Sequence, residues 1–149
     1  MNRILGAALA AFLPVFLASH AAAASCPGVE FVRVEPRASA DTRPVRFRGN
    51  RAIQVARVPI ATAADLAKVE VVGGDINPAI LITLKPEAAA RLERTTSEPN
   101  FPLAVVLGDE ALLSVVIEGG YGIGKDGVQV ALGELERTGA VAAAIQGCL

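Results

Sequence analysis

Two overlapping glycine patterns late in the chain have spacings that can bind phosphates. Gly119 to Lys125 fits G-x-x-x-x-G-K, and Gly122 to Gly127 fits G-x-G-x-x-G. Position 126 is Asp, not the Ser or Thr that binds magnesium, and a strand rather than a helix is expected to follow. Both patterns therefore predict a glycine-rich connection, and we expect no nucleotide and no other cofactor.

Acidic residues could support a second chemistry, because a glycosidase needs only two carboxyl groups at a suitable separation. Close pairs occur at Glu93 and Glu98, at Asp109 and Glu110, and at Glu134 and Glu136. The single histidine, His20, falls in a predicted leader, so its removal excludes Ser-His and Cys-His catalysis and histidine metal sites. A non-enzymatic domain is the leading expectation, and a carboxylate-dependent hydrolase of cell-wall glycans is the alternative.

The beginning of the sequence has the three parts of a secretory signal peptide. Arg3 precedes an apolar run from Ile4 to Ala18, and four alanines end at Ala24. We expect cleavage after Ala24 and a periplasmic or secreted mature protein. No later apolar stretch reaches transmembrane length, so no membrane span is expected after cleavage.

The two cysteines, Cys26 and Cys148, lie near opposite ends of the expected mature chain. Disulfides persist in exported proteins, so one bridge between these cysteines is the simple interpretation. Lipidation of Cys26 is the alternative, although the preceding residues lack the leucine usual in a lipobox.

Seven arginines and only two acidic residues lie between Arg33 and Arg57, whereas the rest of the mature chain is acidic. Arginine forks suit anionic groups, so this segment could contact lipid headgroups, cell-wall polymer or an acidic partner. The alternative is that the arginines pair with acids of the same domain. The candidate anion contacts are Arg37, Arg43, Arg46, Arg48 and Arg51.

Hydropathy patterns predict the elements that position these residues. The chain has 149 residues, 52% of them hydrophobic and 19% charged, with a net charge of -1, which argues for one globular unit and against a general nucleic-acid binder. We expect strands at 29–34, 52–58, 69–72, 79–84, 103–107, 111–117 and 128–130, and helices from Thr62 to Lys68, from Pro86 to Ser97 and around 132–145, with an arginine-rich loop between the first two strands. The class is α+β, an antiparallel sheet with two or three helices packed on one face.

From Val58 onward, the order of elements resembles the periplasmic head subdomain of the SecD/SecDF protein-export family. The segments that carry the resemblance are Val58 to Leu66, Ala79 to Leu84, Pro86 to Thr95, and the hairpin Leu103 to Ile117 followed by Gly119-Gly120. The turn order Gly108-Asp109 and the absence of a proline in the second hairpin strand depart from the family pattern. We divide the chain into a signal peptide (1–24), N-terminal strands with the arginine-rich loop (25–57) and a head-like domain (58–149), with 25–149 as one compact unit.

This resemblance implies a binding or accessory module that contacts extended polypeptide or an envelope protein, without force generation. An edge strand, or the hairpin with the loop after it, is expected to make the contact. The expected contact residues are Val115, Ile117, Gly119, Gly120 and Tyr121. A structural envelope component that uses the arginines electrostatically is a further alternative.

Overall fold

The computed structural model describes residues 28–117 and 127–149. The strands are β1 (Val29–Glu35), β2 (Thr42–Phe47), β3 (Arg51–Ala56), β4 (Ala61–Thr62), β5 (Leu66–Val72), β6 (Ala79–Leu84), β7 (Phe101–Leu107), β8 (Glu110–Ile117) and β9 (Val128–Ala131). The helices are α1 (Pro86–Thr95) and α2 (Leu135–Gln146), and a short 3₁₀ helix spans Ala63–Asp65. Neither α-helix in this part of the chain has the length and apolar character needed to cross a membrane.

Six strands form one sheet that curls into a barrel. Their order is β3-β2-β8-β7-β1-β4, and a further pairing between β1 and β3 closes five of the strands on one another. The β1–β3 contact is short and antiparallel, with Val34 opposite Val55, whereas β2 and β8 run parallel and pair only at Arg46 with Glu110 and Phe47 with Ala111. The expected α+β class holds, but the single sheet with helices on one face is wrong.

A second sheet of three antiparallel strands, in the order β5-β6-β9, packs against the barrel. Helix α2 contacts β5 and β6 of this sheet. The core between the layers joins residues of both sheets and both helices: Phe31, Leu103, Val105, Ile80, Ile82, Leu92 and Ile145.

Alternation along β7 explains why one strand serves two cores. Leu103 and Val105 face the core shared with the second sheet, and Ala104 and Val106 face a smaller cluster within the barrel. All four are fully buried. A strand buried on both faces reads as a continuous apolar run, which is why the sequence alone does not separate the two layers.

The arginine-rich segment is a β-hairpin and not the expected loop. In β2, Arg43 and Arg46 stand beside Thr42 and Val45, which are buried, and β2 pairs with β3 from Thr42 opposite Ala56 to Phe47 opposite Arg51. Barrel closure buries Thr42 and Val45, while Arg46 stays exposed and the partly buried Arg43 is paired with Glu30, so a strand forms despite its charge.

The helix expected from Thr62 to Lys68 is only the 3₁₀ turn. Thr62 caps it as expected, its backbone N–H donating to Asp65 Oδ2 at 2.9 Å, but the chain becomes strand β5 at Leu66. Leu66 and Val69 are buried in the core, so packing favours the extended conformation. Arg91 of α1 holds the turn through an ion pair with Asp65 at 3.0 Å.

Candidate binding edge and cleft

A two-residue turn, Gly108-Asp109, fixes the start of β8 by joining it tightly to β7. Gly108 has a φ of 62° and Asp109 is not in the positive-φ region, which fits a type II′ turn with glycine at its first central position. The backbone carbonyl of Asp109 accepts a hydrogen bond from the Arg46 N–H at 2.9 Å. The reversed Gly-Asp order therefore matches the turn geometry.

The side chains of this turn also join β8 to β2. The Arg46 guanidinium lies 3.0 Å from the Asp109 carboxylate, and its hydrogen bond and positive charge lower the pKa of Asp109. A lowered pKa is the opposite of what a general acid requires at neutral pH.

A β-bulge separates two parts of β8. The pairing with β7 shifts at this point, with Ala111 opposite Val106 and Leu113 opposite Val105, so that Leu112 is the extra residue. Bulges increase the local twist of a strand, and the parallel pairing with β2 ends at Ala111, just before the bulge. Within 28–117 and 127–149, no strand pairs with this side of residues 112–117, which we name the β8 edge.

The peptide groups that face outward along the β8 edge follow from the alternation of an antiparallel ladder. Val116 lies opposite Pro102, which has no N–H to donate, as suits a pair that is not hydrogen-bonded. In that register the N–H and C=O groups of Val116, and of Ser114 two residues earlier, point away from β7. These four polar groups are placed to accept another strand.

Exposed apolar side chains accompany these peptide groups. Val115 is 39% exposed and Val116 is 60% exposed, on opposite faces of the strand. An unprotected edge that carries apolar side chains is a template for strand addition.

A cleft of about 460 Å³ lies at the bulged end of the β8 edge. Its lining includes apolar residues from both layers, namely Ala111, Leu112 and Leu113 of β8 with Ala131 and Leu132 at and after the end of β9. Arg48, Gly49, Glu110, Gly133 and Arg137 complete the lining. Glu110 and Arg137 form an ion pair at 2.6 Å, which joins β8 to α2.

The expected polypeptide contacts fall into three groups. Val115 lies exposed on the β8 edge, but Ile117 is buried in the core opposite Phe101. Gly119, Gly120 and Tyr121 lie outside the described residues, as do the phosphate-loop patterns up to Asp126. In this structure Val116, not Ile117, presents its side chain outward.

The five arginines predicted as anion contacts fall into two groups, those with an ion pair and those without one among the described residues. Arg43 pairs with Glu30 and Arg46 with Asp109, as the alternative of pairing within the domain requires. Arg37, Arg48 and Arg51 are exposed and have no ion pair among the residues described. Only Arg48 of these three lines the cleft.

Residues of two of the three close carboxylate pairs are held by arginines. Asp109 and Glu110 each bind a different arginine, and Glu98 lies 3.5 Å from Arg33. In the described ranges no group of three or more His, Cys, Asp or Glu residues is arranged to hold a metal ion.

Only one of the two cysteines of the predicted disulfide lies within the described residues. Cys148 follows α2, and its Sγ lies 3.3 Å from the carbonyl oxygen of Ala144. Cys26 lies outside the described residues, as does the predicted signal peptide, so the bridge stays a prediction.

Sequence reasoning missed the cleft and the bulge. The cleft combines residues far apart in sequence, such as Arg48, Glu110 and Arg137, which the barrel and α2 bring together. The adjacent valines Val115 and Val116 were a local signal, since alternation along a strand with one buried face turns one of two neighbouring side chains away from the core.

Comparison with known proteins identifies the fold. No protein-family model matches the sequence. No curated protein sequence matches it. A crystal structure of SecDF in its super-membrane-facing form is similar, with a TM-score of 0.62 and 20% identity over 81% of this chain and 19% of that chain.

A second similar structure is that of the membrane component SecDF that enhances protein export. Its TM-score is 0.56 at 20% identity, and the match covers 81% of this chain and 62% of that one. This chain therefore spans about a fifth of the first SecDF chain and less than two thirds of the second. The predicted resemblance is confirmed for the fold, and the chain has a SecDF head-like fold.

Proposed function

We propose that this chain is an exported, non-enzymatic accessory domain that binds extended polypeptide by adding it as a strand to the β8 edge. The observation that carries the proposal is the β8 edge at 112–117, with which no strand within 28–117 and 127–149 pairs, with Val115 and Val116 exposed beside a cleft. Main-chain hydrogen bonds provide affinity in this binding mode without requiring one particular sequence. That property suits a protein that handles many unfolded chains.

The similarity to SecDF supports the same function. One of the similar structures is of a SecDF component that enhances protein export, and an accessory role in export fits the predicted signal peptide and a periplasmic or secreted location. The relevant partner is an extended polypeptide or an envelope protein that presents an extended segment.

Fluorescence anisotropy with a labelled peptide of alternating Thr and Val tests the proposal. Val116→Lys places a charge on the edge and removes apolar burial, so we expect binding about tenfold weaker. Val116→Pro removes an edge N–H that β7 does not use, and we expect a similar loss.

Val71→Lys is the matched control, because Val71 is a 44% exposed valine on β5. It should bind the peptide as the unmodified chain does. Equal losses in the Val116 and Val71 variants, or no peptide binding by the unmodified chain, would exclude strand addition at β8.

A further inference from the structure

The β2–β3 hairpin places Arg48, which has no ion pair among the described residues, in the lining of the cleft. Arg48 begins the turn between the strands, and its guanidinium carbon lies 5.1 Å from the centre of the Phe47 ring. Stacking on an aromatic face restricts the side chain and leaves its N–H donors available. Arg48 is therefore partly ordered before any ligand arrives.

The backbone of Arg48 is also unusual. Its φ is 45°, in the left-handed region that residues other than glycine adopt at some cost, and Gly49 continues the turn with a φ of 78°. Asparagine and aspartate adopt this region more readily than arginine. The turn thus carries a strained arginine beside the cleft.

Once the ion pairs around the cleft are counted, Arg48 contributes an excess positive charge. Glu110 is neutralised by Arg137 at 2.6 Å, and Asp109 at the adjoining turn by Arg46 at 3.0 Å. Arg48 has no acidic partner within the described ranges, so the lining carries two arginines and one glutamate. The apolar floor of Leu112, Leu113 and Leu132 makes the site suited to a carboxylate flanked by apolar groups.

From this arrangement we infer that the cleft selects extended segments carrying an acidic side chain, whose carboxylate binds the Arg48 guanidinium. The inference rests on the proposed strand addition, since the added strand lies along β8 and passes the cleft at the bulge. Arg48 acts as a specificity determinant, and the β8 edge supplies the sequence-independent affinity.

The experiment uses two sets of labelled Thr/Val peptides, in which one Asp or one Asn is moved stepwise along an otherwise identical sequence. At low ionic strength we expect one Asp position to bind about threefold to tenfold more tightly than its Asn counterpart, and the difference to shrink in high salt. Arg48→Asn, which suits the left-handed turn, should abolish the Asp preference and retain the affinity for the Asn peptides. Arg48→Asp should disfavour the Asp peptide.

Arg37→Asn is the matched control, because Arg37 is exposed, has no ion pair in the described ranges and does not line the cleft. It should keep the full preference. The Asp and Asn peptides could bind with equal affinity at every position while Val116→Lys still weakens binding. That result would overturn the inference and leave strand addition intact. An Asp preference that survives Arg48→Asn would also overturn it, and binding of neither set would overturn the proposed function as well.

Discussion

The β5 edge and the β8 edge both bound a sheet, and they differ in what covers them. Helix α2 packs on β5, and the side-chain amide of Gln146 donates to the carbonyl oxygen of Val69 at 2.8 Å. Lys68 and Glu70 form an ion pair at 2.7 Å on the same strand. The β8 edge has no such cover among the residues described and carries Val115 and Val116 instead.

Proteins commonly protect strand edges with charges and with packed elements, because an open edge pairs with other chains. β5 shows both devices, whereas the β8 edge at 112–117 shows neither among the residues that the structure describes. The difference indicates that exposure of β8 is a local property of that strand and not a general feature of this fold.

The largest expected effect comes from the predicted disulfide, whose Cys148 lies two residues after Gln146, the last residue of the helix that covers β5. Reduction, or Cys26→Ser with Cys148→Ser, should lower the free energy of unfolding by up to roughly 4–5 kcal/mol through the loss of a long closed loop. Urea unfolding with and without reductant measures this. Intact masses that are identical before and after reduction would contradict the bridge.

The next largest effect separates the core-facing position of β8 from its exposed neighbour. Ile117→Ala should destabilise the fold by about 2–4 kcal/mol, because Ile117 is buried against the core. Val116→Ala should change stability by less than about 0.5 kcal/mol. Chemical denaturation of both variants checks the assignment, and similar losses would show that Val116 is not on a free edge.

A smaller effect is expected when the cover of β5 is removed. Gln146→Ala leaves the Val69 carbonyl without its side-chain donor and should cost about 0.5–1.5 kcal/mol. Hydrogen exchange along β5 should become faster while that of β8 is unchanged. Unchanged exchange along β5 would mean that Gln146 does not protect the edge.

The smallest effect concerns pH at the start of β5. Partial burial disfavours ionisation of Asp65, but hydrogen bonds from Thr62 and the Arg91 guanidinium outweigh it and lower the pKa of Asp65. The lowered pKa stabilises the fold above the unfolded value of about 4, and this contribution is lost as the pH falls through the native value. Asp65→Asn should therefore be less stable than the unmodified chain at neutral pH, with the gap narrowing in acid.

Asp109→Asn is the comparison for this pH effect. Arg46 lowers the pKa of Asp109, as Arg91 does that of Asp65, but solvent screens this exposed pair. The contribution of Asp109 to stability should therefore be smaller. Thermal melts across the acid range distinguish the two, and a constant gap for Asp65→Asn would contradict the assignment.

Local signals were enough to predict the elements whose ends are marked in the sequence. Pro78 directly precedes β6, and Pro86 follows it and begins α1. Gly108-Asp109 forms the turn of the β7–β8 hairpin. The barrel was not predictable in this way, because its closure depends on pairings such as Val34 with Val55 and Phe47 with Ala111, which no local pattern specifies.

The candidate site likewise has a part that local sequence signals predict and a part that only the fold determines. Residue type and position predicted Val115 and Arg48 as contact residues, and both stay predictions. The side of β8 that no described strand pairs with depends on the bulge at Leu112 and on where β2 ends. Ile117 was expected to make contacts, and packing against Phe101 buries it instead.

Hydrogen exchange of single backbone amides, measured with and without an extended Thr/Val peptide, tests the central claim most directly. Without peptide, the amides of Ser114 and Val116 should exchange quickly, since they face the side of β8 with which no described strand pairs. Peptide should protect both amides and leave β5 unchanged. Continued fast exchange at Ser114 and Val116 with peptide bound, or protection along β5 instead, would contradict strand addition at the β8 edge.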